Sequence, residues 1–304
     1  MKIDRHWLIA ENNSEKIIKN PTQNVGYIID PDFLVIHYTA GDTADSAISW
    51  FKNTSNNPDR IAAHIVLDID GTITQLVPFN RKANHAGYSS WDGVIGFNNY
   101  SIGIEIVNAG YLEKMIDGSY RRKIGQEKGT KRPIYKTYPP SASAKIIKTK
   151  HKHKFWTGVD NQHWFKFPQA QLDALYKMSK AIINEYQLLN AVGHDDISPA
   201  RKPDPGPAFP WDDFKQQQVN GQTDNVGKIY VVTDDSTNFR AQPSTSAPKI
   251  KTLSKGFEVG LIETAGLWNK VYLVNDKKDV VKADGSSIKI IGWVHSSLLS
   301  LKAV

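Results

Sequence analysis

D-F-L-V-I-H-Y-T-A, residues 32–40, is the stretch on which the fold turns. Its apolar run, 32–36, is too short for a helix and apolar on both faces, so it predicts a short strand buried on both sides, as strands of α/β sheets are. That strand delivers His37 at its C-terminal end, where open α/β sheets gather their ligands. Immediately downstream, Ala44, Ala47, Ile48 and Phe51 recur at helical spacing across 43–52. Residues 65–77 then alternate around Asp70-Gly71, a hairpin signal. S-I-G-I-E-I-V (101–107) predicts another strand. Ile102, Ile104 and Ile106 share one face of it, so Glu105 looks away from the isoleucines. Farther on, Leu172, Leu175, Tyr176, Ile182, Ile183 and Tyr186 mark one side of an amphipathic helix over 168–186. Strands alternating with helices predict an α/β domain, a mixed central sheet flanked by helices.

The far end of that domain reads G-H-D-D-I-S-P-A-R-K-P-D-P-G-P-A-F-P-W, 193–211. His194 and Asp204 are two candidate metal ligands in one proline-stiffened loop, and His37 is available as a third from its strand end. The chain has no cysteine, so any metal site is built from His, Asp, Glu or backbone oxygen. Three N/O ligands leave a fourth position for water, whose pKa zinc lowers to about 7; this is the pattern of a catalytic rather than a structural site.

With 304 residues, 40% of them hydrophobic, the chain has material for one large domain and one small one, and it is not a disordered polymer. No apolar run approaches the roughly 20 residues needed to cross a bilayer. The start, MKIDRHWLIAE, lacks the long uncharged core of a signal peptide. The expectation is a chain made in the cytoplasm that reaches any other compartment only by export or release along another route. The net charge of +7 is concentrated: thirteen Lys and Arg stand against three acids between Glu113 and Lys154. This basic stretch, about 113–162, has prolines, glycines and little periodicity, and is expected to be a long inserted loop. His151 and His153 in K-H-K-H-K are expected to be solvated. No base-stacking motif accompanies the charge, so nucleic acid is not expected as a partner, whereas acidic envelope polymers are.

Four blocks in order carry a resemblance: V-I-H-Y-T-A with His37, N-H-A-G-Y-S-S-W (84–91), N-Y-S-I-G-I-E-I with Glu105, and D-P-G-P-A-F-P-W (204–211). They resemble the zinc-dependent N-acetylmuramoyl-L-alanine amidases of the type-2 family, which includes T7 lysozyme, AmpD and AmiD and is related to peptidoglycan recognition proteins. The likeness spans most of 30–213 and is strongest to the AmiD-like subgroup, with aspartate as third ligand. It implies one Zn²⁺ held by His37, His194 and Asp204, Glu105 as general base, and Lys202 as the cation facing an oxyanion. A tyrosine found before the hairpin histidine in the T7 type is Ala63 here, leaving more of the catalysis to Glu105. His64, His85 and Trp91 are candidate substrate contacts, with structural roles equally compatible for the two histidines. The implied reaction cleaves the amide between the lactyl group of N-acetylmuramic acid and L-Ala of the stem peptide, in peptidoglycan or a soluble muropeptide, with action on the cell wall if the chain is exported or released and a cytoplasmic recycling role also compatible. A non-catalytic peptidoglycan-binding protein is the alternative, disfavoured because every ligand position and Glu105 are filled.

The polar run 215–228 reads as a linker. Beyond it, 229–304 is rich in short alternating segments. S-T-N-F-R-A-Q-P-S-T-S (236–246), L-S-K-G-F-E-V (253–259), G-L-W-N-K-V (266–271) and I-G-W-V (291–294) resemble a bacterial SH3-like domain, a small all-β barrel. A cell-wall peptide is its implied partner; Phe239, Arg240 and Trp268 read as core and turn residues. The amidase-like domain is expected to span 1–214.

Overall fold

The computed structural model describes residues 1–91, 93–156, 162–186, 188, 190–219, 228–265, 267–274, 280–281, 287–288 and 290–302. Contacts divide the chain into Met1–Phe214 and Lys215–Val304.

In the first unit, β1 (Lys2–Asp4), β2 (Trp7–Ile9) and β3 (Ile17–Lys19) precede β4 (Phe33–Tyr38) and α1 (Ala44–Lys52). Next come β5 (Ile65–Leu67), β6 (Ile73–Gln75), the short pair β7 (Ser90–Trp91) and β8 (Val94–Ile95), and β9 (Ser101–Ile106). The segment that follows contains β10 (Tyr111–Lys114), β11 (Tyr120–Gln126), β12 (Pro133–Tyr138), β13 (Ile146–Lys148) and β14 (His163–Phe165). Then come α2 (Gln169–Tyr186), β15 (Asn190–Gly193), α3 (His194–Ile197) and α4 (Trp211–Val219), the boundary after Phe214 falling within α4.

Six strands form the central sheet in the order β15-β4-β9-β5-β6-β3. All neighbours run parallel except the β5–β6 hairpin, so the sheet is mixed. On one face Leu34, Ile36, Ile102, Ile104 and Ile106 pack against Leu172, Leu175, Met178 and Ile182 of α2. Each such fully buried side chain contributes on the order of 1.5–3 kcal/mol, which holds α2 to the sheet despite its polar outer side. On the other face Val66 and Val107 meet Ala44 and Phe51 of α1, while Phe33 and Val35 meet Ala86 and Phe97. Gly103 lies on this second face, where a Cβ would sit 2.4 Å from the His85 ring. The glycine in S-I-G-I-E therefore makes room for a histidine.

The expected basic loop is a sheet instead, five antiparallel strands in the order β12-β11-β10-β14-β13. β11 reads Y-R-R-K-I-G-Q and β12 is exposed along most of its length, and the sheet's small buried cluster takes Leu112, Tyr120 and Ile146 from three separate strands, so no strand shows a sustained apolar-in, polar-out pattern in the sequence. Cross-strand pairs add to that cluster. Arg121 makes two bonds to Glu113, at 2.7 and 3.0 Å, and lies over the Tyr135 ring. Pro133 opens β12 at the sheet edge, the place a strand tolerates proline.

α4 continues through Lys215–Val219, so the start of the run read as a linker is helical; 220–227 lie outside the described residues. The second unit holds β16 (Ile229–Val232), β17 (Thr237–Arg240), β18 (Lys249–Leu253), β19 (Glu258–Ala265), β20 (Trp268–Leu273), the hairpin strands β21 (Val280–Val281) and β22 (Ser287–Ile288), β23 (Ile291–His295) and β24 (Leu299–Leu301). Seven of these form one antiparallel sheet, β18-β17-β23-β20-β19-β16-β24. Phe239, Leu253, Val259, Leu261, Val271, Leu273 and Val294 fill its core. Arg240 caps a turn through Ala247 O at 2.7 Å, and Trp268 stands edge-on to His295. Gly266, which opens one of the motif segments, lies outside the described residues.

Candidate functional site

Sheet register assembles the site. His37 is paired with Glu105 across β4 and β9, so both side chains leave the same face of the sheet. Gly193 pairs with Ile36 across β15 and β4, which puts His194, the next residue, beside His37. Asp204 then returns along the loop after α3, and its carbonyl accepts from Asp195 N at 2.7 Å.

Three donor atoms converge there. His37 Nδ1 is 2.8 Å from His194 Nδ1 and 3.1 Å from Asp204 Oδ2, and His194 Nδ1 is 3.0 Å from the same oxygen. All three residues are buried, and among the described residues they are the one group of His, Asp or Glu whose atoms close on a point in this way. The distal nitrogens are occupied elsewhere. His194 Nε2 donates to Ala86 O at 3.0 Å, leaving its Nδ1 lone pair for the cluster. His37 Nε2 meets His85 Nδ1 at 3.0 Å, and His85 Nε2 meets Ser101 Oγ at 3.2 Å. Ser101 Oγ in turn donates to Phe97 O at 2.6 Å. Run in one direction, from His37 Nε2–H, this chain leaves His37 Nδ1 as a bare acceptor facing Asp204. Hydrogen-bonded outer nitrogens of this kind orient metal-binding imidazoles.

Electrostatics agree with the geometry. Burial, reinforced by His194, lowers the His37 pKa to about 4, so its ring is neutral at neutral pH. Burial works to raise the Asp204 carboxyl, but His194 and His37 outweigh it and hold that group well below the usual carboxylate range. A neutral imidazole and an ionised carboxylate are the protonation states a cation requires. Glu105 is pushed up to about 8 by burial and then by the charge of Asp204, with Lys202 acting in the opposite sense. Its Oε2 is buried without a hydrogen-bond partner.

The cluster opens on a groove of about 1190 Å³ lined by Glu105, Lys202, Tyr38, Tyr111 and Trp50, among others. One wall comes from the inserted sheet: Arg122 and Lys136 each bond to Asp42 at 2.9 Å, and Tyr138 bonds to it at 2.8 Å.

The candidate substrate contacts divide. His85 reaches the groove lining, yet it is buried and its ring is spent on His37 and Ser101. His64 does not reach the groove: it is fully buried, Nδ1 accepts from Gly103 N at 3.0 Å and Nε2 donates to Arg81 O at 2.8 Å. It packs the sheet and touches no ligand space. Trp91 is outside the groove lining and stands edge-on to Phe33. His151, expected to be solvated, is 3% exposed and bonded into the ligand loop; the sequence offered only its charge-rich setting, which points the other way. Arg201 carries no signal in the sequence, yet its Nη2 donates to Ala86 O at 2.7 Å, Tyr88 O at 2.9 Å and Ser198 Oγ at 2.9 Å. It ties the 84–91 block to the loop after α3.

The chain is similar to known proteins over much of its length. The family described as N-acetylmuramoyl-L-alanine amidase matches residues 29–207, and the bacterial SH3 domain matches 235–300. N-acetylmuramoyl-L-alanine amidase AmiD of Escherichia coli K12 is 31% identical over 195 residues, 63% of this chain and 54% of that protein. The 1,6-anhydro-N-acetylmuramyl-L-alanine amidase AmpD of the same organism is 30% identical over 158 residues, 51% of this chain and 57% of that protein. The chain thus spans a little over half the length of the curated relatives it matches. Among solved structures, Escherichia coli AmiD in complex with anhydro-N-acetylmuramic acid-L-Ala-D-γ-Glu-L-Lys aligns at 30% identity with a TM-score of 0.42, covering 63% of this chain and 58% of that one. With its match spanning more than half of the residues and running through His37, Glu105, His194 and Asp204, this chain belongs to the N-acetylmuramoyl-L-alanine amidase family.

Proposed function

We propose that the chain is a zinc-dependent peptidoglycan amidase that cleaves the bond between the lactyl carbonyl of N-acetylmuramic acid and the L-Ala nitrogen of the stem peptide. The observation that carries this reading is the triangle of His37 Nδ1, His194 Nδ1 and Asp204 Oδ2, with sides of 2.8, 3.1 and 3.0 Å, open to a groove and adjoined by Glu105. Two imidazole nitrogens and one carboxylate oxygen fit a single zinc ion with a position to spare. When bound there, zinc supplies Lewis acidity that activates water and an amide carbonyl at neutral pH.

The chain's own residues do the rest. His85 and Ala86 O hold the outer nitrogens of His37 and His194, so the donor atoms cannot turn away. Glu105 takes the proton of the attacking water. Burial, and then the charge of Asp204, pushes that carboxyl up to about 8; a cation held at the triangle would lower its pKa again and favour the ionised form, which accepts a proton and returns it to the departing amine. Lys202 stabilises the negative oxygen that develops only in the transition state. The second unit is assigned to wall attachment through a cell-wall peptide, and the site of action to the cell wall, with peptidoglycan or a soluble muropeptide as substrate.

End-group analysis of digested sacculi tests the reading. New L-alanine amino termini support it. New reducing sugar ends would mean glycan cleavage, and binding without turnover in zinc-loaded protein would mean a recognition protein; either outcome overturns it.

A further inference from the structure

The tract K-H-K-H-K-F-W, 150–156, has no part in the scheme above, yet it is fastened to the ligand loop. His151 is buried. Its Nδ1 accepts from His153 N at 3.0 Å, so its hydrogen sits on Nε2, which lies 3.1 Å from Pro203 O and 3.1 Å from Asp195 Oδ2. Lys152 pairs with Asp195 at 3.3 Å and Asp196 at 2.6 Å, so the buried Asp195 is compensated. Trp156 Nε1 donates to Pro199 O at 2.7 Å. Trp164, from β14, packs on the His151 ring and against Gly206, where a Cβ would lie 2.6 Å from the indole.

These contacts bear on Asp204 from both sides. The peptide plane before it is fixed by the His151 bond to Pro203 O, and the plane after it by Asp195 N donating to Asp204 O at 2.7 Å. With both planes fixed, the Asp204 backbone has little freedom, and its carboxylate is aimed at the two histidines. We propose that the inserted sheet serves as a brace, with His151 a positioning residue that holds Asp204, and through Pro203 its neighbour Lys202, in register with His37 and His194. The insertion thereby contributes to metal affinity without touching the metal. This rests on the zinc site of the proposed function.

The test measures metal, not turnover. Full-length chain is stripped, loaded with Co²⁺, and assayed for its visible absorption spectrum and for affinity by chelator competition. His151→Ala should bind Co²⁺ and Zn²⁺ about 10–100-fold more weakly, the usual effect of losing an outer partner of a metal site, and should shift the Co²⁺ spectrum. His151→Gln, whose amide can still donate to Pro203 O, should recover most of both. Trp156→Phe removes one hydrogen bond and little volume; it should weaken binding less, with unchanged circular dichroism, and it carries the test if His151→Ala does not fold. Wild-type affinity and spectrum in the folded variants would overturn the brace while leaving the amidase reading intact. A wild-type chain that binds neither ion would overturn both.

Discussion

Glu105 is the residue at which function and stability are most directly opposed. Replacing it by glutamine keeps the shape and removes the charge. In the folded protein its pKa is raised from 4.5 to about 8 by burial and by Asp204. Between those two values the unfolded chain has released the proton while the folded chain retains it, so the folded state loses stability as pH rises from about 4.5 and the loss is complete near pH 8. A difference of about 3.5 units at ~1.36 kcal/mol each sets a ceiling on the order of 5 kcal/mol. Glu105 is partly open to the groove, and water there screens the charge, which brings the expected cost to about 2–3 kcal/mol. Glu105→Gln should therefore raise the melting temperature of the metal-free amidase unit at pH 8 by roughly 4–12 °C, at about 2–4 °C per kcal/mol for a unit of this size. At pH 4.5 the two proteins should melt together. Saturating zinc should narrow the gap at pH 8, because a cation at the triangle favours the wild-type carboxylate. The same variant should lose on the order of 10²–10⁴ in turnover. Calorimetry in chelator across pH 4.5–8, then with zinc, reads the result. A gap independent of pH would mean that Glu105 carries no buried charge and would refute the argument.

Other outcomes follow from the same geometry. Exhaustive chelation should abolish amide cleavage and spare most of the circular dichroism, because the large apolar clusters on both faces of the sheet do not need the metal; full activity in stripped protein would remove zinc from the mechanism. His37→Ala should lose both metal and activity, read by bound-metal analysis, while Lys202→Ala should lower kcat more than it raises KM, since its partner charge exists only in the transition state. Residues 1–222 alone should hydrolyse a small muropeptide almost normally and bind sacculi poorly; a folded but inactive truncation would place part of the site in the second unit. Exchanging the exposed Lys123, Lys128, Lys131 and Arg132 for glutamate should weaken sacculus binding at low salt far more than at high salt, because the Debye length shrinks to about 3 Å at 1 M. A loss that ignores ionic strength would assign these residues a role in shape.

Much of this protein could be read directly from its residues. The strand around Val35, the hairpin at Asp70-Gly71, the isoleucine face of 102–106 and the helix over 168–186 all announce themselves, because a strand buried on both faces leaves a short apolar run and the other elements leave a turn signal or a period in the sequence. The candidate ligands His37, His194 and Asp204 could also be picked out in the sequence, since chemistry restricts ligands to a few residue types, and the structure brings those three together. What the tertiary structure alone decided is whatever arises between elements. The inserted strands bury only a small cluster of Leu112, Tyr120 and Ile146 drawn from three different strands, so no single strand carries an apolar period, and Arg121–Glu113 and Arg121–Tyr135 contacts add to the pairing. His64 and His85 look alike as sequence, yet one is spent on Arg81 O and Gly103 N and the other bridges to His37. His151 sits in a run of lysines that reads as solvated, and only the return of the ligand loop past it, bringing Asp195 and Pro203 O within 3.1 Å, makes burial of that imidazole favourable. A side chain's own chemistry is local and written in the sequence, whereas its partner is set by where distant backbone happens to pass.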